Sequence, residues 1–488
     1  LTGYGVNPEP ANDVAGWALV CTAFDAPTPH ALRVQADVLI EVSASGMIQS
    51  VLAPNDPQRR QLEVSHARAG TLHRLPKGQY LLPGLIDLHV HAPQWPQSGK
   101  ALDVPLEVWL QTYTFALEAR YGDAAFATDV YDRVVRTLLA NGTTTAMYFG
   151  TLHTVGNRIL AQRCLDLGQR ALIGRVAMDE PDQCPPTYRD ASARLALEET
   201  MQFMDWLARH PDNASPGNGF QRVLPVITPR FIPACTNELL HGLGDLAQQT
   251  GAHVQTHCSE SDWAHAHVLQ RTGMTDARAL DAFGLLTRRT VVAHANFLTD
   301  EDVALMVVRG ASVAHCPLSN FYFANSVFPV RRQHRQGLGM GLGSDISGGY
   351  SPSLFDACRH AMTAALALHE GTDPALVPER RGSKAQGQPA SIAPVFALWL
   401  ATAAGARALD LPTGRLEPGC AMDAIAIDTL AEDSNLQVWA GHDTLPDVLQ
   451  KIVHHAQRAN VSSTWVQGRR VHHKANTTNP NRLPNTTP

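Results

Sequence analysis

Two kinds of hydrophobic patterning divide the chain. Residues 15–82 alternate apolar and polar positions in short runs, at 17–20, 36–42 and 48–52. A period of two puts every second side chain on one face of a strand, so these runs predict a β module. Residues 54–75 are rich in Arg and Gln and break the alternation, which predicts a surface loop. From residue 83 the pattern becomes a short apolar run followed by a longer stretch of helical character, repeated. The apolar runs are 85–91, 143–149, 172–178, 223–228, 253–257, 291–294, 311–315 and 338–345. Eight such runs separated by room for helices predict an α/β fold, a closed (β/α)8 TIM-like barrel. The long gap before 105–120 and the Pro-, Asn- and Gly-rich 211–219 loop read as insertions. After a helical stretch near 391–409, strand character returns at 423–428, and 461–471 reads as a hairpin. The expected division is 1–82 and 410–473 as two parts of one smaller composite β-sandwich, 83–409 as the barrel, and 474–488 as a disordered Asn/Thr/Pro-rich tail.

Composition narrows the picture. At 488 residues the chain has room for one large barrel and a smaller domain, and 44% hydrophobic residues suit a soluble globular protein. A net charge of −6 without a lysine-rich run argues against nucleic-acid binding. The most apolar stretch, 392–406, is too short to cross a bilayer and is interrupted by Pro394 and Gly405, so no membrane association is expected. No basic segment precedes an apolar core near the N-terminus, so no secretory signal is expected. The eight cysteines lack framework spacing and any C-x-x-C, as expected of reduced thiols in a cytoplasmic protein.

Against this background one motif carries chemistry. Leu85-Ile86-Asp87-Leu88-His89-Val90-His91 ends an apolar run with two histidines two residues apart. Positions i and i+2 of a strand point to the same side, so both imidazoles can reach one metal ion. Among 22 histidines such pairs arise by chance. The pair gains meaning because further strand-like runs end in His257, His294 and Asp345. Histidines and a carboxylate at the C-terminal ends of barrel strands are the makings of a hydrolytic zinc centre. Neither H-E-x-x-H nor the H-x-E with P-C-x-x-C of the nucleic-acid-editing deaminases occurs.

Together the motifs resemble the amidohydrolase superfamily, and within it the branch that deaminates guanine. The resemblance rests on Pro83-Gly-Leu-Ile-Asp-Leu-His-Val-His-Ala-Pro-Gln94, the segment Gly142 to His153, Thr228-Pro-Arg-Phe231, Thr256-His-Cys-Ser-Glu260, the segment Ala311 to Asn320, and Gly341-Leu-Gly-Ser-Asp-Ile-Ser-Gly-Gly-Tyr-Ser351. It runs from about 80 to 365 and returns at 413–428. Thr256, Cys258 and Trp95 depart from the usual pattern.

The resemblance implies one Zn2+ per chain, held by His89, His91, His257 and Asp345. Strands 172–178 and 223–228 offer no Lys or Glu to bridge a second metal. Glu260 is the implied proton shuttle, His294 the group that orients the attacking water, and Asp345 a further proton acceptor. Gln94, Trp95, Arg230 and Phe231 would bind the substrate, with His91, His257 and Asp345 at its reacting end. Arg230 would donate to the O6/N7 edge of guanine and Phe231 would pack on the ring. The implied reaction gives xanthine and ammonia, in a homodimer. The alternatives are a sibling hydrolase of a modified guanine, pterin or triazine, and a barrel that has lost catalysis and serves in assembly.

Overall fold

The structure is a computed structural model that describes residues 16–215, 220–324 and 326–474. The tail from 475 onward and residues 216–219 of the 211–219 insertion lie outside these residues. Among the described residues five strands precede the barrel: β1 (Trp17–Thr28), β2 (Ala31–Val42), β3 (Ile48–Leu52), β4 (Leu72–Arg74) and β5 (Gln79–Pro83). The barrel follows as β6 (Leu85–His91), β7 (Thr143–Phe149), β8 (Arg170–Ala177), β9 (Val223–Pro229), β10 (His253–Cys258), β11 (Thr290–His294), β12 (Ser312–His315) and β13 (Gly339–Leu342). Each barrel strand pairs in parallel with the next. Closure comes just past the last strand: Asp345 N donates to His89 O and His91 N to Ile346 O, each at 2.9 Å. Two expected metal ligands on β6 therefore sit at the seam where the barrel shuts.

Outer helices follow the expected logic. Residues Ala124–Ala140 are capped by Asp123, whose carboxylate accepts from Ala125 N and Phe126 N. That helix buries Val130, Tyr131, Val134, Val135 and Leu138, a stripe at helical spacing. Residues 106–118, which follow the expected insertion, are helical and turn buried Leu106, Leu110 and Glu118 inward.

The chain ends add β14 (Ala424–Asp428), β15 (Val461–Val466) and β16 (Arg469–His473). They join β5, β1, β2 and β3 in one hydrogen-bonded path, with β4 pairing to β1. Trp17, Ile40, Ile48, Leu81, Ala424 and Trp465 meet in a single core, so the sheet curls around one interior built from both ends of the chain. The expected hairpin is present; Gln467 and Gly468 both have positive φ, as a two-residue type I′ turn requires. A buried ion pair fastens this module to the barrel: Arg170 Nε and Nη2 donate to Asp423 at 3.0 and 3.1 Å.

Two helices depart from the sequence reading. Residues Arg59–Ala69, expected as loop, form a largely exposed helix ended by Gly70 in the left-handed region. It lacks an apolar stripe, so hydrophobic periodicity could not announce it, although Gln, Leu, Glu, Arg and Ala all favour helix. Leu445–His455 buries Val448, Leu449, Ile452 and Val453 beneath a Thr444/Asp447 capping box, a signal present in the sequence. Among the described residues no helix is long and apolar enough to cross a membrane. All eight cysteines are free and buried.

Candidate active site

At the C-terminal ends of β6, β10 and β11, and just beyond β13, four histidines and two carboxylates converge. His89 Nε2 and His91 Nε2 lie 3.1 and 3.5 Å from Asp345 Oδ1. His91 Nε2 is 3.0 Å from His257 Nε2. His294 Nε2 lies 3.5 Å from Glu260 Oε1 and 3.9 Å from Asp345 Oδ2. The backbone helps to aim two of these groups. His294 (φ 68) and Asp345 (φ 50) sit in the left-handed region that side chains seldom adopt, and such strain persists where the surrounding fold over-determines it.

Second partners orient the rings. The Nδ1 of His257 faces the carbonyl of Arg230 at 2.6 Å, and that of His294 faces Asn320 Oδ1 at 3.0 Å. Carbonyl oxygens only accept, so both Nδ1 atoms carry the proton and both Nε2 atoms present lone pairs to the centre. Burial, reinforced by neighbouring imidazoles, holds His89, His91 and His257 well below the ordinary histidine range. The rings are neutral. Burial also pushes Asp345 up to about 6, with His294 opposing. Glu260 is raised well above the usual carboxylate range by burial first and by Asp345 second, with Arg230 opposing.

The donor set fits a metal ion. His89, His91 and His257 offer ligand atoms within 4.8 Å of one another, as do His89, His294 and Asp345. The Nε2 atoms of His89 and His294 are buried without hydrogen-bond partners, which is costly unless something else takes their lone pairs. Nitrogen and carboxylate donors suit zinc.

A cavity opens beside this cluster. His91, Gln94, Arg230, Phe231, His257, Glu260 and Asp345 line it, with Leu106, Leu110 and Trp109 from the helical segment 106–118. Trp95 does not join them. It is half-buried against the cluster that contains Val90, Tyr121 and Tyr131. Residues Ala92–Gln97 form a tight turn of helix with about three residues per turn, so Gln94 and its neighbour face different ways.

Two buried acids escaped the sequence reading. Glu118 accepts from Arg230 Nη1 at 2.6 Å and Nη2 at 3.1 Å, and from Gln94 Nε2 at 2.9 Å. The end of the Arg230 fork is therefore taken by Glu118, and a substrate meets the N–H groups that remain. The segment that carries it, Leu106 to Glu118, mixes apolar with polar residues and holds a second acid, Glu107, so nothing in the sequence marked Glu118 out. Asp87, buried within β6, accepts from His89 N and Ser344 N. Its signal was an acid two residues before His89 in a wholly buried strand.

Residues 80–471 match the amidohydrolase family. The chain is 38% identical over 409 residues to a probable guanine deaminase of Schizosaccharomyces pombe, covering 83% of this chain and 73% of that protein. It is 34% identical over 448 residues to guanine deaminase of Mus musculus, covering 90% of this chain and 93% of that one. The solved structure of guanine deaminase from C. acetobutylicum, with bound guanine in the active site, matches with a TM-score of 0.81 at 26% identity, covering 94% of this chain and 100% of that chain. Likeness of this extent, carried by both sequence and barrel, means that the chain belongs to the amidohydrolase family.

Proposed function

We propose that the protein is a zinc-dependent guanine deaminase that converts guanine and water to xanthine and ammonia. The observation that carries this reading is the pairing, across one cavity, of the His/Asp cluster and Glu260 with the buried Gln94–Glu118–Arg230 chain. The names of the relatives and the guanine in the C. acetobutylicum structure support the same substrate. His89, His91, His257 and Asp345 would hold one zinc ion, which supplies Lewis acidity and a water of lowered pKa.

This chain's own residues do the rest. Gln94, Arg230 and Phe231 bind the purine with C2 turned to the cluster. Glu260, buried beside His294, takes the proton of the attacking water. It passes that proton to the ring nitrogen next to C2 and then helps to protonate the departing amine. The C2–N bond breaks and a carbonyl forms at C2. His294, its Nδ1 held by Asn320, orients the attacking water. The catalytic unit in this reading is 83–409, with 1–82 and 410–473 forming the β module. The enzyme works as a cytoplasmic homodimer; free, buried cysteines suit a reducing compartment, and light scattering tests the dimer.

The deciding experiment is ultraviolet monitoring of a purine, pterin and triazine panel with zinc-loaded protein. Guanine is expected to be consumed with the highest kcat/KM. Preference for a pterin or triazine would favour the sibling hydrolase. No turnover of any compound by zinc-loaded protein would favour an assembly role.

A further inference from the structure

Gln94 lines the cavity, and its backbone is fastened to the loop that follows Asp345: Ser347 Oγ donates to Gln94 O at 2.7 Å. Its side-chain nitrogen donates to Glu118 Oε1, and Arg230 Nη2 donates to the same oxygen at 3.1 Å. The other end of the amide, Gln94 Oε1, is buried without a hydrogen-bond partner. A carboxylate paired with a guanidinium accepts hydrogen bonds and donates none, so only the NH2 end of Gln94 can face Glu118. The carbonyl end is thereby turned away from Glu118 as an unmet acceptor, a state that a ligand N–H relieves. Arg230, with five N–H groups and two given to Glu118, remains a donor beside it.

We propose that Glu118 is a positioning residue that sets the polarity of the substrate wall. By holding Gln94 as an acceptor next to Arg230 as a donor, it selects heterocycles that carry a lactam edge, an N–H beside a C=O. It disfavours rings whose edge is reversed, a bare ring nitrogen beside an amino group. The inference deepens the guanine reading and rests on it: guanine offers N1–H beside O6. Glu118 touches no substrate; it acts through the orientation of the two residues that do.

Guanine and 2,6-diaminopurine share the 2-amino group and differ at this edge. Wild-type protein is expected to favour guanine in kcat/KM. In Glu118→Gln both neighbouring amides are free to turn, and the guanine preference should fall at least about tenfold, the scale of one mispaired buried hydrogen bond. Zinc content and circular dichroism should be unchanged. A preference that stays within about twofold of wild type would overturn the inference, because a merely structural role lowers both activities alike. Should Glu118→Gln fail to fold, Gln94→Met carries the test: it removes the acceptor while leaving the Arg230–Glu118 pair, and the same collapse is expected. Binding separates this inference from the reading beneath it. Hypoxanthine has the lactam edge, adenine the reversed one, and neither has a 2-amino group. Tighter binding of hypoxanthine by wild type, lost in Glu118→Gln, supports the wall's polarity whether or not guanine is deaminated. Equal binding of the two by wild type overturns it even where guanine is turned over.

Discussion

The carboxylate of Asp87 accepts the backbone N–H of Ser344 at 2.9 Å, across 257 residues of chain, and the N–H of His89 at 3.2 Å. One buried oxygen thus holds in register the strand that carries His89 and the loop that carries Asp345. Burial pushes the Asp87 carboxyl up to about 7, against the hydrogen bonds that favour its charged form. Asp87→Ala would leave two buried N–H groups unpaired at about 1–3 kcal/mol each. We expect a lower melting temperature and metal affinity reduced by about 10–100-fold, the usual effect of losing support behind metal ligands. Asp87→Asn keeps an acceptor and should stay near wild type. If Asp87→Ala retained metal as tightly as the parent, the seam would be held by the barrel ladder alone.

Metal and proton transfer separate by mutation. Elemental analysis of protein purified without added metal should give one zinc per chain; a ratio near two would contradict the single-ion reading. His89→Ala should lose metal and activity together. Glu260→Gln should keep the metal and lose at least about a hundredfold in turnover, the lower range for a general acid–base group. Loss of zinc from Glu260→Gln would make that residue a ligand.

The parts of this site that could be read in the sequence share one property: they depend on spacing within a strand or on the end of a run. His89 and His91 share a face because a strand repeats every two residues, and His257 and Asp345 close apolar runs. The convergence of His89 and His91 on Asp345 Oδ1 is a product of barrel closure, which spacing alone foretells only through the count of strands. Glu118 could not be read in this way. Its meaning lies in Arg230, 112 residues away, and an acid in a helical segment looks solvated until the segment is folded over the barrel mouth. Trp95 lies apart from the cavity lining because adjacency in sequence is not adjacency on a tight helical turn. The Arg59–Ala69 helix packs through Leu62 and not through an apolar stripe, so period analysis had no signal to find.

The Arg230–Glu118 pair also makes a prediction about stability. Both side chains are almost wholly buried, and Arg230 also lies over the Phe115 ring at 4.9 Å. Arg230→Met should raise KM for guanine and, by stranding the Glu118 charge, destabilise the fold by about 3–5 kcal/mol. Adding Glu118→Gln to Arg230→Met removes that charge, so the double variant should be more stable than the single one. Urea titration of the three variants measures this; strictly additive losses would mean that the two residues stabilise the fold independently.

A last prediction concerns pH. His265 Nδ1 lies 2.8 Å from Asp276 Oδ2, and Asp276 Oδ1 accepts from Ser259 N at 2.9 Å, on the turn that carries Glu260. The hydrogen bond to Asp276 raises the His265 pKa above its usual 6.5; burial opposes, while the charges of Asp276, Asp302 and Asp262 add to the rise. A histidine whose folded pKa exceeds its unfolded one stabilises the protein while protonated. That contribution is complete below about pH 6.5 and is lost as pH rises through the folded value. His265→Gln keeps a neutral donor to Asp276 and removes only the charge. The melting temperature of wild type should therefore exceed that of His265→Gln most at pH 6, and the gap should close in alkaline buffer. The His265 side chain is 21% exposed, so added salt should narrow the gap at pH 6. A gap that is constant from acid to alkali would mean that the imidazole acts through shape and its stacking on Phe297, not through its charge.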